Sequence, residues 1–564
     1  MASLTKKIIR GRAYYYLREC RRVDGKPKIV FQQYIGSQEE LIARLRNPSP
    51  HEAFAREFGA VVATYDMAEQ LDLVNIVDHH VAKRGRQGPS VGQYLLTATI
   101  NRCLAPCSKA RIAEWYERTV LPRLLRIKAS QLTSQRFWDN MDRISEKHIL
   151  SIERDISERV VSRFDLDLSC LLFDATNFFT FMDTFNGRSR LAKRGHSKEG
   201  RDSLRILGLA LLVTADGEVP LLHHVYAGNK ADSTVFSRLS GELQRRCLQL
   251  GKGVCDITLV FDKGNNSHKN LNRIGKAPFH FVGSLVPTHH PRLLAIDRDQ
   301  MRRLDPARLP AVWAYRIQQP IFGVQRTVLV TYNRRFYRAQ ARTLLREINK
   351  RKRQLHQLKD ALVLHNRSPK KGNKPTQLGT QNRIDRILAA RHMKDLFFVK
   401  LSLTKNKIPK LSWRFNIKQW SDLKKTLLGK TLLFTDRSDW SDEQIVLAYR
   451  SQYHVEAAFR SMKNPRYLSF RPINHWTDQK LRVHAFYCVL ALLILTLIRR
   501  QLDKQGIHMS IPRMIERLSE IREIVTLYKS ANEKRQRLVP IISRRDQEQQ
   551  SIVDALDLPK YFPK

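Results

Sequence analysis

A chain of 564 residues is long enough for several domains and an ample buried core. Lys and Arg total 100 against 53 Asp and Glu, a net charge of +47. A compact body so charged repels itself unless a polyanion is present, which points to nucleic acid as partner.

The seven cysteines are scattered and odd in number, which argues against a disulfide frame and for reduced thiols in the cytoplasm. Cys103 and Cys107 lack a second pair with zinc spacing, so no structural zinc is expected; the doublets His79-His80, His223-His224 and His289-His290 are no stronger. The chain opens without an apolar signal segment, running at once into Lys6-Lys7, and a cytoplasmic, nucleoid-associated protein is expected. Residues 485–498 are apolar except for Thr496. They fall short of the ~20 apolar residues a spanning helix needs, so the segment is expected as a buried core helix, without a membrane.

In chain order, residues 14–36 alternate aromatic or aliphatic with polar residues on both sides of Val23-Asp24-Gly25-Lys26. An Asp-Gly pair between such runs predicts a β-hairpin, and residues 1–50 are assigned to that region. Arg18, Arg21, Arg22, Lys26 and Lys28 stud it; a solvated sheet and a DNA contact are both open readings. Residues 51–165 read as helical and as a DNA-binding region, interrupted by the loop Lys83-Arg84-Gly85-Arg86-Gln87-Gly88-Pro89. No helix-turn-helix stands out in it.

The period changes at residue 168. Strands are predicted over 168–173, 206–214 and 219–226, the last two joined by Ala215-Asp216-Gly217-Glu218. A helix over 232–250, a strand over 257–261, a helix over 267–274 and a strand over 279–286 follow. This order, spanning 166–290, matches a ribonuclease-H-like α/β core, a mixed sheet flanked by helices. Asp174 ends the first strand and Asp262 follows the fourth. Residues 291–440 are too many for a crossover and are assigned to a β-rich insertion. Strands are expected at 312–317, 324–332, 396–403 and 431–435. A long helix over 338–363 carries Leu344, Ile348, Leu355, Leu358 and Leu362 on one stripe. A basic linker, 367–374, follows. Segment 341–375 is rich in Lys and Arg with only Glu347 and Asp360 as acids, so Lys350, Arg351, Lys352 and Arg353 are expected on a phosphate-tracking face.

Residues 441–500 are assigned to the closing helices of the core. A single helix is predicted over 441–463, capped by Ser441 with Asp442 and Glu443 in its first turn. Positions seven apart lie about two turns apart, so Tyr449, Glu456 and Lys463 share one face, joined by Arg460. Residues 501–564 read as a helical tail and possible dimer contact. Two carboxylates at strand ends and a third on a helix, Asp174, Asp262 and Glu456, are able to converge on two divalent ions; hard oxygen ligands suit Mg²⁺ or Mn²⁺.

With these residues in view the chain resembles the insertion-sequence DDE transposases, in the branch marked by a Tyr, Arg, Glu, Lys signature. Asp174, Asp262 and Glu456 match the acidic triad, and Tyr449 and Lys463 the ends of the signature; Gln452 stands where the signature has Arg. Arg194-Gly195-His196-Ser197-Lys198 and Phe261-Asp262-Lys263-Gly264 have the same texture. The resemblance implies a DNA transposase that binds the ends of its own mobile element. It would cleave them with two Mg²⁺ or Mn²⁺ ions and join the 3′ ends to target DNA, through hairpin ends, as a homodimer. Tyr449, Gln452, Arg460, Lys463, Arg194 and Lys198 are the expected DNA contacts, beside the basic helix. A nuclease or junction resolvase on the same fold, and a non-catalytic DNA-binding derivative, are the alternatives.

Overall fold

The computed structural model describes residues 2–23, 26–46, 50–83, 88–183, 185–201, 203–250, 256–277, 279–367, 374–528 and 537–563. The turn Asp24-Gly25, the centre of the basic loop at 84–87 and most of the linker at 367–374 lie outside them. The strands are β1 (Ala2–Ile9), β2 (Arg12–Val23), β3 (Lys26–Ser37), β4 (Glu52–Glu57), β5 (Cys170–Thr180), β6 (Lys193–Arg194), β7 (Arg205–Thr214), β8 (Pro220–Ala227), β9 (Thr258–Phe261), β10 (His280–Ser284), β11 (Arg302–Arg303), β12 (Val312–Ile321), β13 (Val324–Asn333), β14 (Phe397–Leu403), β15 (Pro409–Phe415), β16 (Lys430–Thr435), β17 (Arg522–Tyr528) and β18 (Arg537–Ile542). The architecture is mixed α/β.

The chain divides into two compact units. The first comprises Met1–Leu166, Ala175–Lys230 and His454–Lys564, the second Asp167–Asp174 and Ala231–Tyr453, so β5 is split between them after Asp174.

In the first unit, β1, β2 and β3 form an antiparallel sheet; the expected hairpin pair carries an additional strand at its N-terminal side. Helices α1 (Val91–Leu104) and α2 (Glu146–Phe164) follow, each started by a serine capping box. β7 pairs antiparallel with β6 and β8 and neighbours β5. Its residues Ile206–Thr214 are all buried, the continuous apolar run of a strand covered on both faces. The core helix of this unit is Asp478–Lys504, begun at Thr477, whose side chain accepts from the Lys480 amide. It is longer than its apolar run, and long and apolar enough to cross a membrane by length and composition. Yet 94% of its most apolar window is buried.

Two expectations for this unit are corrected. The region 51–165 begins with a strand: β4 pairs with β17, and β17 with β18. For the same reason residues 501–564 are not a helical tail. Alternation in Arg522–Tyr528 buries Glu523, Val525 and Leu527 on one face, a two-residue period that the Glu/Arg-rich composition obscured. Glu523 is buried between Arg123, at 2.9 Å, and Arg56, at 3.5 Å.

In the second unit the sheet order is β11-β12-β13-β16-β10-β9-β5. β5, β9 and β10 are parallel, and β16 joins antiparallel to β10. Strands β12, β13 and β16, read from sequence as an insertion, therefore continue the sheet that starts at β5. A row of phenylalanines runs beneath it: Phe173 to Phe236 at 5.0 Å, Phe236 to Phe261 at 5.3 Å, Phe261 to Phe281 at 5.8 Å and Phe281 to Phe434 at 5.3 Å between ring centres. The long basic helix extends over Arg334–Arg367, and its stripe packs as expected: Ile348, Leu355, Leu358 and Leu362 are buried against Ile384, Met393, Phe397 and Leu411, with Leu344 partly covered.

The predicted helix over 441–463 is two helices, Asp442–Arg450 and Tyr453–Met462. The Ser441 cap forms with Gln444, as a full capping box. At the break the Ser451 hydroxyl donates back to the Ala448 carbonyl at 2.6 Å, a local bond that competes with the helical ladder. The division between the two units falls just after it, between Tyr453 and His454.

Candidate active site

Parallel strands in register place their next residues side by side. Phe173 is opposite Phe261 and Phe261 opposite Gly283, so Asp174, Asp262 and Ser284 stand in one row at the C-terminal ends of β9 and β10. Asp174 does not end its strand as expected but lies within β5, which runs on to Thr180, at the point where its pairing with β9 stops. Carboxyl ends of parallel strands are where open α/β sheets bind ligands. Both aspartates are half-buried. The Ser284 hydroxyl donates to Asp262 Oδ1 at 3.0 Å, and the Tyr449 hydroxyl donates to the same oxygen at 3.3 Å. Asp262 lends no side-chain cap to the short helix Lys263–Asn265 that follows it. Gly283 keeps the row close: a Cβ there would meet Phe434 at 2.7 Å and Phe261 at 3.0 Å.

The first unit gathers lysines on the continuation of the same strand. Lys198 Nζ donates to the Ala175 carbonyl at 2.6 Å, and its backbone amide to Asn177 Oδ1 at 3.1 Å. Lys463 Nζ donates to Thr176 Oγ1 at 3.2 Å, pairs with Glu199 at 3.3 Å and lies 5.5 Å from the Phe178 ring centre. One ammonium group thus meets the backbone at Ala175 and the other the side chain of Thr176. Thr176 and Glu199 were not expected as lysine contacts; a buried strand threonine and a loop acid carry no such signal of their own.

Glu456 is exposed, in the first turn of Tyr453–Met462, with Arg460 exposed one turn on. Its helix is held at His454, whose Nδ1 lies 2.9 Å from Glu218 Oε1; Arg499 lies 3.3 Å from the other oxygen. Burial pushes the Glu218 carboxyl up, but the His454 bond and the Arg499 charge outweigh it and hold it below its ordinary value. Tyr449 and Gln452 belong to the second unit and Glu456 and Lys463 to the first. The single face expected for Tyr449, Glu456 and Lys463 is not a helix face. Lys463 itself lies beyond the last helical residue, Met462.

Of the other expected contacts, Arg194 is exposed on β6. On the long helix, Lys350 and Arg353 are exposed. Arg351 is tied to Glu347 at 2.8 Å, and Lys352 sits 4.5 Å over the Phe415 ring. Arg351 and Lys352 therefore serve packing as well as charge.

Adjacent strands lie roughly 5 Å apart, so two carboxylates in register are the donor set of a hard divalent ion. Mg²⁺ needs only one or two of them, with water and phosphate oxygens completing the octahedron. Asp174 and Asp262 fit that requirement. Among the described residues no group of three or more His, Cys, Asp or Glu is suited to hold a metal ion; Asp174 and Asp262 belong to the second unit and Glu456 to the first.

No family model and no curated protein matches the chain. Among solved structures it is similar to a piggyBac transposase in a synaptic complex with hairpin DNA, at 9% identity and a TM-score of 0.36, covering 81% of this chain and 78% of that one. So distant a likeness assigns neither fold nor function.

Proposed function

We propose that the protein is a metal-dependent DNA strand-cleaving and strand-joining enzyme, a DNA transposase. The observation that carries this reading is the row of Asp174 and Asp262 in register on adjacent parallel strands, with Ser284 and Tyr449 both donating to Asp262 Oδ1. The strand neighbours β8-β7-β5 in one unit and β5-β9-β10 in the other agree with a ribonuclease-H-like core, and the net charge of +47 supports a polyanionic substrate.

Asp174 and Asp262 would hold a Mg²⁺ or Mn²⁺ ion, and Glu456 is the proposed third carboxylate, for a second ion when DNA is bound. Such ions lower the pKa of a bound nucleophile and neutralise charge on the phosphoryl oxygens. The Ser284 and Tyr449 hydroxyls both donate to Asp262 Oδ1 and so orient the carboxylate. Lys198 and Lys463 would bind the backbone phosphate near the cut, where a cation contacts an anionic oxygen directly. Exposed cations, among them Arg194, Arg460, Lys350 and Arg353, would track the flanking phosphates without reading bases. Pairing of two chains on two element ends belongs to the same proposal.

The test is a labelled duplex carrying the DNA that flanks the coding sequence, incubated with the full chain and Mg²⁺ in the presence of a plasmid target. Cleavage at a fixed position followed by joining to the plasmid is the expected result. Cleavage without joining identifies a nuclease or resolvase, and neither one, with binding intact, identifies a non-catalytic derivative.

A further inference from the structure

After Thr180 the chain leaves β5 and exposes two phenylalanines: Phe181 is 76% exposed and Phe185 93%. Trp476, 55% exposed, sits just before the core helix of the same unit. Large aromatics so placed are not loose ends here, because the backbone carrying them is fastened. Asp478 Oδ1 accepts from the Ser189 hydroxyl at 2.7 Å and from the amides of Arg190 and Leu191 at 2.9 and 3.0 Å. Asn186 donates to the Trp476 carbonyl at 3.3 Å, and Arg205 to the Asn186 carbonyl at 2.9 Å. Asp183 accepts from the Phe185 amide at 2.9 Å. The loop and the segment before the helix are thus bonded to each other, and both present rings to solvent.

Exposed apolar groups on a fastened loop mark a contact surface. The surrounding charge selects the partner. Arg188 and Arg190, three and five residues after Phe185, are exposed. At the root of the loop Arg201 and Arg471 lie over the Phe179 ring at 4.6 and 4.5 Å. Asp183 of the loop and Asp478 at the start of the core helix are engaged with backbone amides. Rings interleaved with guanidinium groups match nucleic acid, where bases stack on aromatics and cations meet phosphates.

We infer that Phe181, Phe185 and Trp476 form a stacking surface for unpaired bases of DNA held by this unit. The inference rests on the DNA-processing reading above and adds to it the state of the DNA at this surface: its bases are out of the stack. Flexible or already unpaired bases lose least on being opened, so a substrate with an unpaired stretch should be preferred.

The probe is a pair of fluorescent duplexes of one sequence, one fully paired and one with a short unpaired stretch containing 2-aminopurine, each titrated with the full chain. Stacking on aromatics contributes ~1–3 kcal/mol per base, so the wild type should prefer the unpaired probe by about tenfold, with quenching of its 2-aminopurine. The triple variant F181L/F185L/W476L keeps apolar surface but removes ring faces. It should lose both the preference and the quenching while binding the paired duplex within about twofold, since phosphate contacts remain. A triple variant that retains preference and quenching overturns the inference, as does a wild type that shows neither. A triple variant that loses only adhesion to anionic vesicles, or only self-association, reassigns the surface to a membrane or a second copy. A chain that binds neither duplex removes the DNA-processing reading as well, so the two failures are distinguishable.

Discussion

The two places that hold the three carboxylates of the proposed site are built in opposite ways. Asp174 and Asp262 are brought together by strand register: once Phe173 faces Phe261 in a parallel pair, the residues that follow have no choice of neighbour. Glu456 depends on a helix that stops and restarts at Ser451-Gln452, and it belongs to a different unit from the aspartates. A sheet transmits position through every hydrogen bond of its ladder, whereas a broken helix transmits it only through what fastens its new start. Here that fastening is the His454–Glu218–Arg499 group.

This contrast orders the expected effects. Asp174→Ala or Asp262→Ala should lower strand cleavage by at least about a thousandfold, the scale of several kcal/mol lost from the transition state. DNA affinity in a gel-shift titration should stay within about twofold, because many Lys and Arg share the binding. Full cleavage by either variant would remove that residue from the site. Glu456→Ala should cost less, about a hundredfold, and be partly restored by raising Mn²⁺, if Glu456 takes up the proposed ligand role only on DNA. A loss as complete as that of Asp262→Ala, with no rescue, would mean that the three acids act as one fixed set.

Tyr449→Phe keeps the ring and removes one donor to Asp262. The effect expected is about tenfold in the Mg²⁺ concentration needed for half-maximal cleavage, the range for partners that orient a metal ligand. An unchanged metal requirement would make the Tyr449 hydroxyl a packing detail.

How much of this was legible in the sequence follows the same line. The core strands and both aspartates were readable because apolar runs end abruptly at an acid, and the buried stripe of the long helix because Ile348, Leu355, Leu358 and Leu362 keep its period. Ser284 was readable in principle from register with Asp262. The break at Ser451 was not: Ser and Gln are tolerated inside helices, and a bond from a serine hydroxyl to the carbonyl three residues back, as from Ser451 to Ala448, is open to serines in continuous helices too. Nor was the pairing of β4 with β17, residues from the two ends of the first unit, since no local pattern encodes such a partner. The basic helix was readable as charge but not as use, for Arg351 and Lys352 turn out to be partly engaged in packing.

That last point sharpens a smaller prediction. Lys350→Gln with Arg353→Gln, both exposed, should flatten the salt dependence of DNA binding by about two in log–log slope, if each meets one phosphate. An unchanged slope would make this face of the helix merely solvated. Smaller still is the effect at Glu218, whose folded pKa is depressed. Its contribution to stability is complete above the unfolded value, about 4.3, and is lost as pH falls through the folded one. The melting-temperature gap between wild type and Glu218→Gln should therefore be present at pH 7 and close below about pH 4. A gap independent of pH would assign the effect to packing.

The most direct test of the central claim is Mn²⁺ binding to the full chain on DNA, followed by electron paramagnetic resonance, with strand cleavage measured on the same samples. The account predicts bound Mn²⁺ and cleavage in the wild type, and loss of both in Asp174→Asn and in Asp262→Asn, each taken separately. Tight Mn²⁺ binding that survives in both variants, or cleavage that persists without a divalent ion, would contradict it.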